Sequence, residues 1–202
     1  MIHKLINIGN KIIIFIGPEG SGKTTNAKRL SKESGKPYLT TGDTIRDLAR
    51  NDKGRLGDEC RATIAEHRYV NGAMLLEIMQ SRMSQSDTEN GFILDGGLRT
   101  LEETKGFRSM IEDAGRFLPV TVILLDIPEE VSLERLVYGD NARLRVDDTR
   151  EGVLSRLSKY NTQLTERMAL IEEQPNWRLI TVNATPSPEL VFEAVCRQVM
   201  EE

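Results

Sequence analysis

The sequence predicts an α/β fold in three layers, a five-stranded parallel sheet with helices on both faces. Three observations predict it. Apolar, strand-like runs recur at wide spacing along the 202 residues. Helical patterns fill the intervals between them. The first run, Ile12–Ile16, leads directly into Gly17-Pro-Glu-Gly-Ser-Gly-Lys-Thr24. That is the G-x-x-x-x-G-K-[ST] phosphate-loop pattern, set between a strand and a helix.

Each element has its own reason. Ile12–Ile16 is apolar throughout, as a parallel strand covered on both faces must be. Residues 22–34 then continue as a helix. The loop glycines let the backbone curl so that its amides point inward at phosphate oxygens, and the helix N-terminus adds partial positive charge there. Lys23 would reach the β- and γ-phosphates, and Thr24 would offer its hydroxyl to Mg²⁺. Gly17, Gly20, Ser21, Gly22, Lys23, Thr24 and Thr25 are the expected contacts to a nucleoside triphosphate.

Tyr38–Thr40 is a short second strand after Gly35-Lys36-Pro37. Residues 41–72 hold helical patterns at 43–51 and 58–67 and no strong strand, so they read as a helical insertion. A helix over 72–84 precedes the third strand, Gly91–Asp95. Asp95 ends that strand, where a carboxylate beside a phosphate loop can hold Mg²⁺ through its water ligands. A helix over 101–114 leads to the fourth strand, Val120–Leu125, and a further helix over 129–137. Residues 138–149 form a short polar connection able to cover the crevice as a minimal lid. One helix over 150–172, a fifth strand at Arg178–Val182 and a helix over 188–200 complete the chain. The expected organisation is one domain with its core in 1–40, 73–137 and 150–202. The carboxyl ends of parallel strands face the ligand crevice, which places the chemistry near 17–24, 40–46, 95–99 and 126.

Composition narrows the partners. The net charge is −4, which gives no broad electrostatic claim on nucleic acid. Ile12–Ile16 is too short to span a membrane and leads into the phosphate loop, so no targeting segment is read. Cys60 and Cys196 form no C-x-x-C pair, and His3 and His67 are the only histidines. No thiol-based metal site or catalytic cysteine is expected, and a reducing cytosol suits the pattern. Six arginines, Arg46, Arg99, Arg135, Arg143, Arg145 and Arg156, fall in loops after strands or on helices that could flank the crevice. Phosphoryl transfer between two anions needs such planar, bidentate cations, because it is mainly positioning and charge neutralisation.

These residues resemble the adenylate kinase family of nucleoside monophosphate kinases over almost the full chain. Residues 17–27 are similar to its phosphate loop. Thr41-Gly-Asp-Thr-Ile-Arg46 resembles T-G-D-x-x-R, and Asn90-Gly-Phe-Ile-Leu-Asp-Gly-Gly-Leu-Arg-Thr100 resembles N-G-F-x-L-D-G-F-P-R-T. Pro128-Glu-Glu130 with Arg135-Leu136 resembles P-E-E…R-L. Arg145-Val-Asp-Asp148 with Arg156-Leu-Ser-Lys-Tyr160 resembles R-x-D-D…R-L-x-x-Y. The resemblance implies a sheet order of 2-3-1-4-5 and an ATP- and Mg²⁺-dependent kinase of nucleoside monophosphates, monomeric and cytoplasmic. Lys23 and the loop amides would hold the donor phosphates. Arg46 and Arg99 would clamp the acceptor phosphate, with Thr41 and Gly96 lining its site. Arg135 would lie against the donor base, and Arg145 and Arg156 would bridge the phosphates during transfer. Residues 41–72 would be the moving monophosphate-binding part, and the connection after 137 a short lid.

Three departures stand out. Gly97-Leu98 replaces the family's stiff Phe-Pro, and Gly139 replaces an arginine. Glu103 replaces a glutamine that reads adenine. An ionised carboxylate only accepts hydrogen bonds, which suits guanine's adjacent N1–H and N2–H₂ donors better than adenine's mixed edge. AMP is the acceptor the resemblance implies; Glu103 opens GMP or another monophosphate. A nucleotide-binding protein of the same fold without efficient catalysis is the other alternative. A GTPase lacks support because N-K-x-D is absent, and a small-metabolite kinase fits the acceptor motifs less well.

Overall fold

The computed structural model of the chain describes residues 6–66, 70, 72–139 and 149–200. Strand β1 (Ile12–Ile16) lies at the centre of the sheet with all its residues buried. Strand β2 (Tyr38–Thr40) is at one edge, beside β3 (Ile93–Asp95). Beyond β1 lie β4 (Val120–Asp126) and then β5 (Trp177–Asn183). The order is β2-β3-β1-β4-β5, all parallel, which is the expected fold and strand order.

The helices are α1 (Lys23–Ser34), α2 (Thr41–Asn51), α3 (Arg55–Ala65), α4 (Gly72–Met83) and α5 (Leu101–Asp113). After them come α6 (Glu129–Leu133), α7 (Arg150–Thr162), α8 (Leu164–Glu172) and α9 (Pro188–Met200). The apolar run of β1 is continuous because its alternate side chains enter different cores. Ile12, Ile14 and Ile16 pack with Met79, Phe107 and Ile171 from α4, α5 and α8. Ile13 and Phe15 pack with Ala27 and Leu30 of α1 and Phe192 and Val195 of α9. Both faces are therefore covered, which is the condition for an all-parallel sheet.

Phe107 meets Trp177, the chain's single tryptophan, edge to face with ring centroids 5.9 Å apart. Phe107 is 3% exposed. Phe107→Ala is expected to lower stability by about 3–5 kcal/mol, through lost transfer energy and the cavity left behind. A denaturant titration followed by Trp177 fluorescence measures it. An unchanged midpoint would show that α5 is not anchored through this ring pair.

Several boundaries differ from the sequence expectation. Helix α2 begins at Thr41, two residues early, because the Thr40 hydroxyl accepts the Asp43 N–H at 2.9 Å as an N-cap. Helix α3 starts at Arg55, three residues early. The Asp52 carboxylate between α2 and α3 accepts the N–H groups of Gly54 and Gly57, both at 2.8 Å. The expected single helix over 150–172 is two helices, broken at Gln163 (φ −115°, ψ 9°). The Gln163 Oε1 accepts the Leu101 N–H of α5 at 3.3 Å, and Arg167 donates to the freed Tyr160 carbonyl at 2.8 Å. Helix α6 continues as a π-helical turn, Glu134–Tyr138, closed by Gly139 N–H donating to the Glu134 carbonyl at 2.6 Å. Most of the connection expected as a lid, including Arg143 and Arg145, lies outside the described residues, as do His3 and His67. No helix among the described residues is long and apolar enough to cross a membrane.

Candidate active site

Sheet register brings the singled-out segments to one edge. Phe15 of β1 and Thr40 of β2 both pair with Asp95 of β3. The three strands therefore end side by side. The phosphate loop, the Asp95–Arg99 segment and the Thr41–Arg46 segment leave from adjacent positions.

The loop curls because Gly17 (φ 147°) turns where a side chain could not go. A Cβ there would lie 2.5 Å from the Leu125 carbonyl oxygen and 2.8 Å from Ser21 Oγ. The loop ends at Gly22, which precedes α1 without a side-chain cap, and α1 has no acidic residue in its first turn. The positive end of the helix is left unopposed for an anion. Ser21 Oγ is buried without a hydrogen-bond partner, a donor of the kind that a phosphate oxygen would satisfy. Lys23 Nζ folds back over the loop, donating to the carbonyls of Gly17 and Pro18, both at 2.8 Å.

Thr24 and Thr25 are both exposed in the first turn of α1, and Thr24 Oγ1 donates to Asp95 Oδ2 at 2.7 Å. A hydroxyl and a carboxylate side by side at a phosphate loop are hard oxygen donors, and they fit Mg²⁺ with the remaining ligands from water and phosphate. Among the described residues no group of three histidines, cysteines or carboxylates could hold a metal by itself. Tyr38 OH also donates to Asp95 Oδ2, at 2.6 Å. Burial first, and the Asp95 carboxylate second, push the Tyr38 phenol far above its ordinary value, so it stays a proton donor to Asp95. Nothing in the sequence marks this role; only the pairing of β2 with β3 reveals it.

On the acceptor side, Arg46 pairs with Asp43 at 2.6 Å on the exposed face of α2. The hydrogen bonds from Arg46 and then Thr40 hold the Asp43 carboxyl below the usual range. Thr41 opens α2 directly after β2. Arg99 is exposed, and its guanidinium lies over Gly96, where a Cβ would sit 2.9 Å from Nη2. Glu103 is buried, 8% exposed, and its Oε2 accepts the Arg99 backbone N–H at 2.9 Å. The Thr100 hydroxyl accepts the Glu103 N–H in return, at 3.1 Å. Together they resemble a capping box at the start of α5.

Two further arginines reach the loop from the other half of the sheet. Arg135 donates to the Gly20 carbonyl at 3.0 Å, and to the Ala184 and Thr185 carbonyls after β5 at 2.9 and 3.2 Å. Arg156 donates through Nε to Glu19 Oε2 at 3.0 Å, in the middle of the phosphate loop. The role of Glu19 was not apparent in the sequence, since a variable loop position carries no signal of its own. The structure thus gathers Lys23, Thr24, Asp95, Arg135 and Arg156 around the loop, with Arg46 and Arg99 on the neighbouring segments. Arg145 lies outside the described residues.

A strand-tip phosphate loop at the centre of a 2-3-1-4-5 parallel sheet defines the P-loop α/β class. A family model described as "Adenylate kinase" matches residues 15–174. The adenylate kinase of Leptospira biflexa serovar Patoc is 33% identical over 153 residues, covering 76% of this chain and 81% of that protein. That of Cyanothece sp. is 31% identical over 190 residues, covering 94% and 95%. That of Thermotoga neapolitana is 36% identical over 124 residues, and there the match spans 61% of this chain and only 56% of the relative. The chain belongs to the adenylate kinase family.

Proposed function

We propose that the chain is an ATP-dependent nucleoside monophosphate kinase with AMP as its acceptor. One observation carries the reading: a phosphate loop with Lys23 and the Thr24–Asp95 pair stands beside two arginine-bearing segments on adjacent strands. A phosphate oxygen of AMP would attack the γ-phosphorus of ATP, the bond to the β-phosphate oxygen would break, and two ADP would leave. No protein nucleophile is needed. Lys23 and the loop amides would hold the donor tail, Arg46 and Arg99 the acceptor phosphate. Arg156, with Arg145 from the connection, would neutralise the charge that spreads over the transferred group. Mg²⁺, held beside Thr24 and Asp95, would supply further neutralisation when bound. Tyr38 would keep the Asp95 carboxylate oriented for it.

The family supports AMP, as the relatives carry the name adenylate kinase. Against the GMP alternative stands the contact of Glu103 Oε2, which accepts the Arg99 N–H. A monomeric state and a cytosolic location belong to the same reading. Both cysteines are free, and burial raises each thiol, Cys196 to about 11; unreactive thiols suit a reducing compartment.

A coupled assay with ATP and Mg²⁺ across AMP, GMP, CMP, UMP and the deoxy forms tests the proposal. AMP is expected to give the highest kcat/KM. A different favoured acceptor would move the assignment within the family. Nucleotide binding without transfer to any acceptor would establish the weak-catalyst alternative, for which Gly97-Leu98 and Gly139 are the motive.

A further inference from the structure

Gly96, Gly97 and Leu98 hold φ values of 86°, 101° and 49° in succession. Leu98 is not a glycine, and its side chain is fully buried in the core beneath α5. A left-handed leucine costs energy and persists only where its surroundings over-determine it. Here they do. Gly96 N–H donates to the Phe15 carbonyl at 3.0 Å, which fixes the start of the segment. Arg167, 1% exposed, donates through Nη1 to the Leu98 carbonyl at 2.7 Å. The same peptide group donates its Arg99 N–H to Glu103 Oε2. The Leu98–Arg99 junction is thus gripped at its carbonyl and at its N–H by charged, buried side chains. Bonds of that kind are stronger than neutral ones.

Arg167 reaches further. Its Nη2 and Nε donate to the carbonyls of Tyr160 and Gln163 at 2.8 and 3.3 Å, and its guanidinium lies 4.6 Å from the centre of the Tyr160 ring. Those residues end α7, the helix that carries Arg156. One buried guanidinium therefore ties the segment bearing Arg99 to the helix bearing Arg156. Where the family uses a stiff Phe-Pro dipeptide, this chain uses a left-handed run locked by side chains.

We infer that Glu103 and Arg167 are positioning residues for Arg99, and that residue 103 in this chain sets the placement of the acceptor-phosphate clamp and not the choice of base. The inference rests on the proposed kinase reading for its enzymatic consequences. A base reader would change the ranking of acceptors when altered. A positioning residue changes all acceptors alike, because every one of them presents the same phosphate to Arg99.

The test compares the unaltered protein with Glu103→Gln, Glu103→Leu and Arg167→Lys. Gln keeps an oxygen for the Arg99 N–H; Leu does not. Glu103→Leu and Arg167→Lys are expected to raise the KM for AMP, GMP and CMP together, on the order of tenfold, with the KM for ATP unchanged. Glu103→Gln is expected to stay within about threefold for every acceptor, with the AMP-to-GMP ratio of kcat/KM unmoved. A shift of that ratio by more than about fivefold in Glu103→Gln would overturn the inference, and that variant decides the matter if the Leu variant fails to fold. A Glu103→Leu protein that kept every acceptor KM would also overturn it, and an Arg167→Lys protein that did so would remove Arg167 from it. Should the unaltered protein transfer phosphate to no acceptor, the kinase reading falls, and amide exchange at Arg99 decides the positioning role. Exchange about tenfold faster in Glu103→Leu than in the unaltered protein supports it, and equal exchange contradicts it.

Discussion

Lys23→Met is expected to lower kcat for phosphoryl transfer by about 10²–10³-fold, the range for losing one preorganised charge at a developing anion. The reason lies in where the ammonium sits. Its Nζ is 2.8 Å from two carbonyls of the loop, Gly17 and Pro18. It is therefore held over the site that a triphosphate tail would fill, and a phosphate could replace those carbonyls as its partner. Methionine keeps the length of the stem and removes the charge. The fold is expected to survive, with stability changed by less than about 1 kcal/mol, because Lys23 is only partly buried. Steady-state assays beside a thermal melt separate the two effects. A variant that kept its rate would place the donor phosphates elsewhere.

Arg156→Met is expected to cost still more in kcat, about 10³-fold, with the KM for either nucleotide little changed. That split marks an interaction made mainly in the transition state. Arg156 is paired with Glu19 inside the phosphate loop at 3.0 Å. In the proposed kinase reading, that places the guanidinium beside the phosphates of the donor. The incoming phosphates would compete with Glu19 for it, and a planar fork can serve an anion bidentately where a lysine could not. Single-turnover measurements, which isolate the chemical step, check this. A raised KM with unchanged kcat would instead make Arg156 a ground-state contact.

Much of the fold was legible in the residues because both of its determinants are local. Ile12–Ile16 shows its double burial as an unbroken apolar run, and the Gly17–Thr24 pattern fixes the turn and the helix that come after it. The sheet order was implied by family resemblance rather than by any local pattern, and the register then explains it: Phe15 and Thr40 flank Asp95. The features that escaped were set by tertiary contacts. Nothing in residues 150–172 announces a break at Gln163; it is held open by Leu101 on α5 and by Arg167. The bond between Tyr38 and Asp95 needs two strands in register. The π-helical turn around Arg135 has no sequence signature, and it places that side chain on Gly20.

Glu103 is the instructive case. Read by hydrogen-bonding chemistry alone, an acidic residue at a base-reading position favours guanine. That holds only if the side chain faces the base. The pattern Thr100-x-x-Glu103 was also present, and it is the local signal for a capping box. In the structure Glu103 Oε2 accepts the Arg99 backbone N–H, the kind of contact that the capping-box pattern leads one to expect. Of the arginines singled out in the sequence, Arg135 and Arg156 reach the phosphate loop, and Arg156 meets Glu19, a partner that only proximity could reveal.

The central claim is spatial: donor and acceptor phosphates meet where β1, β2 and β3 end. A crystal structure with two adenosines joined through five phosphates measures this directly. The account predicts one end of the polyphosphate wrapped by residues 17–24 with Lys23 and Arg156 upon it, and the other end between Arg46 and Arg99. A ligand bound away from the loop, or bound there with Arg46 and Arg99 directed into solvent, would contradict it.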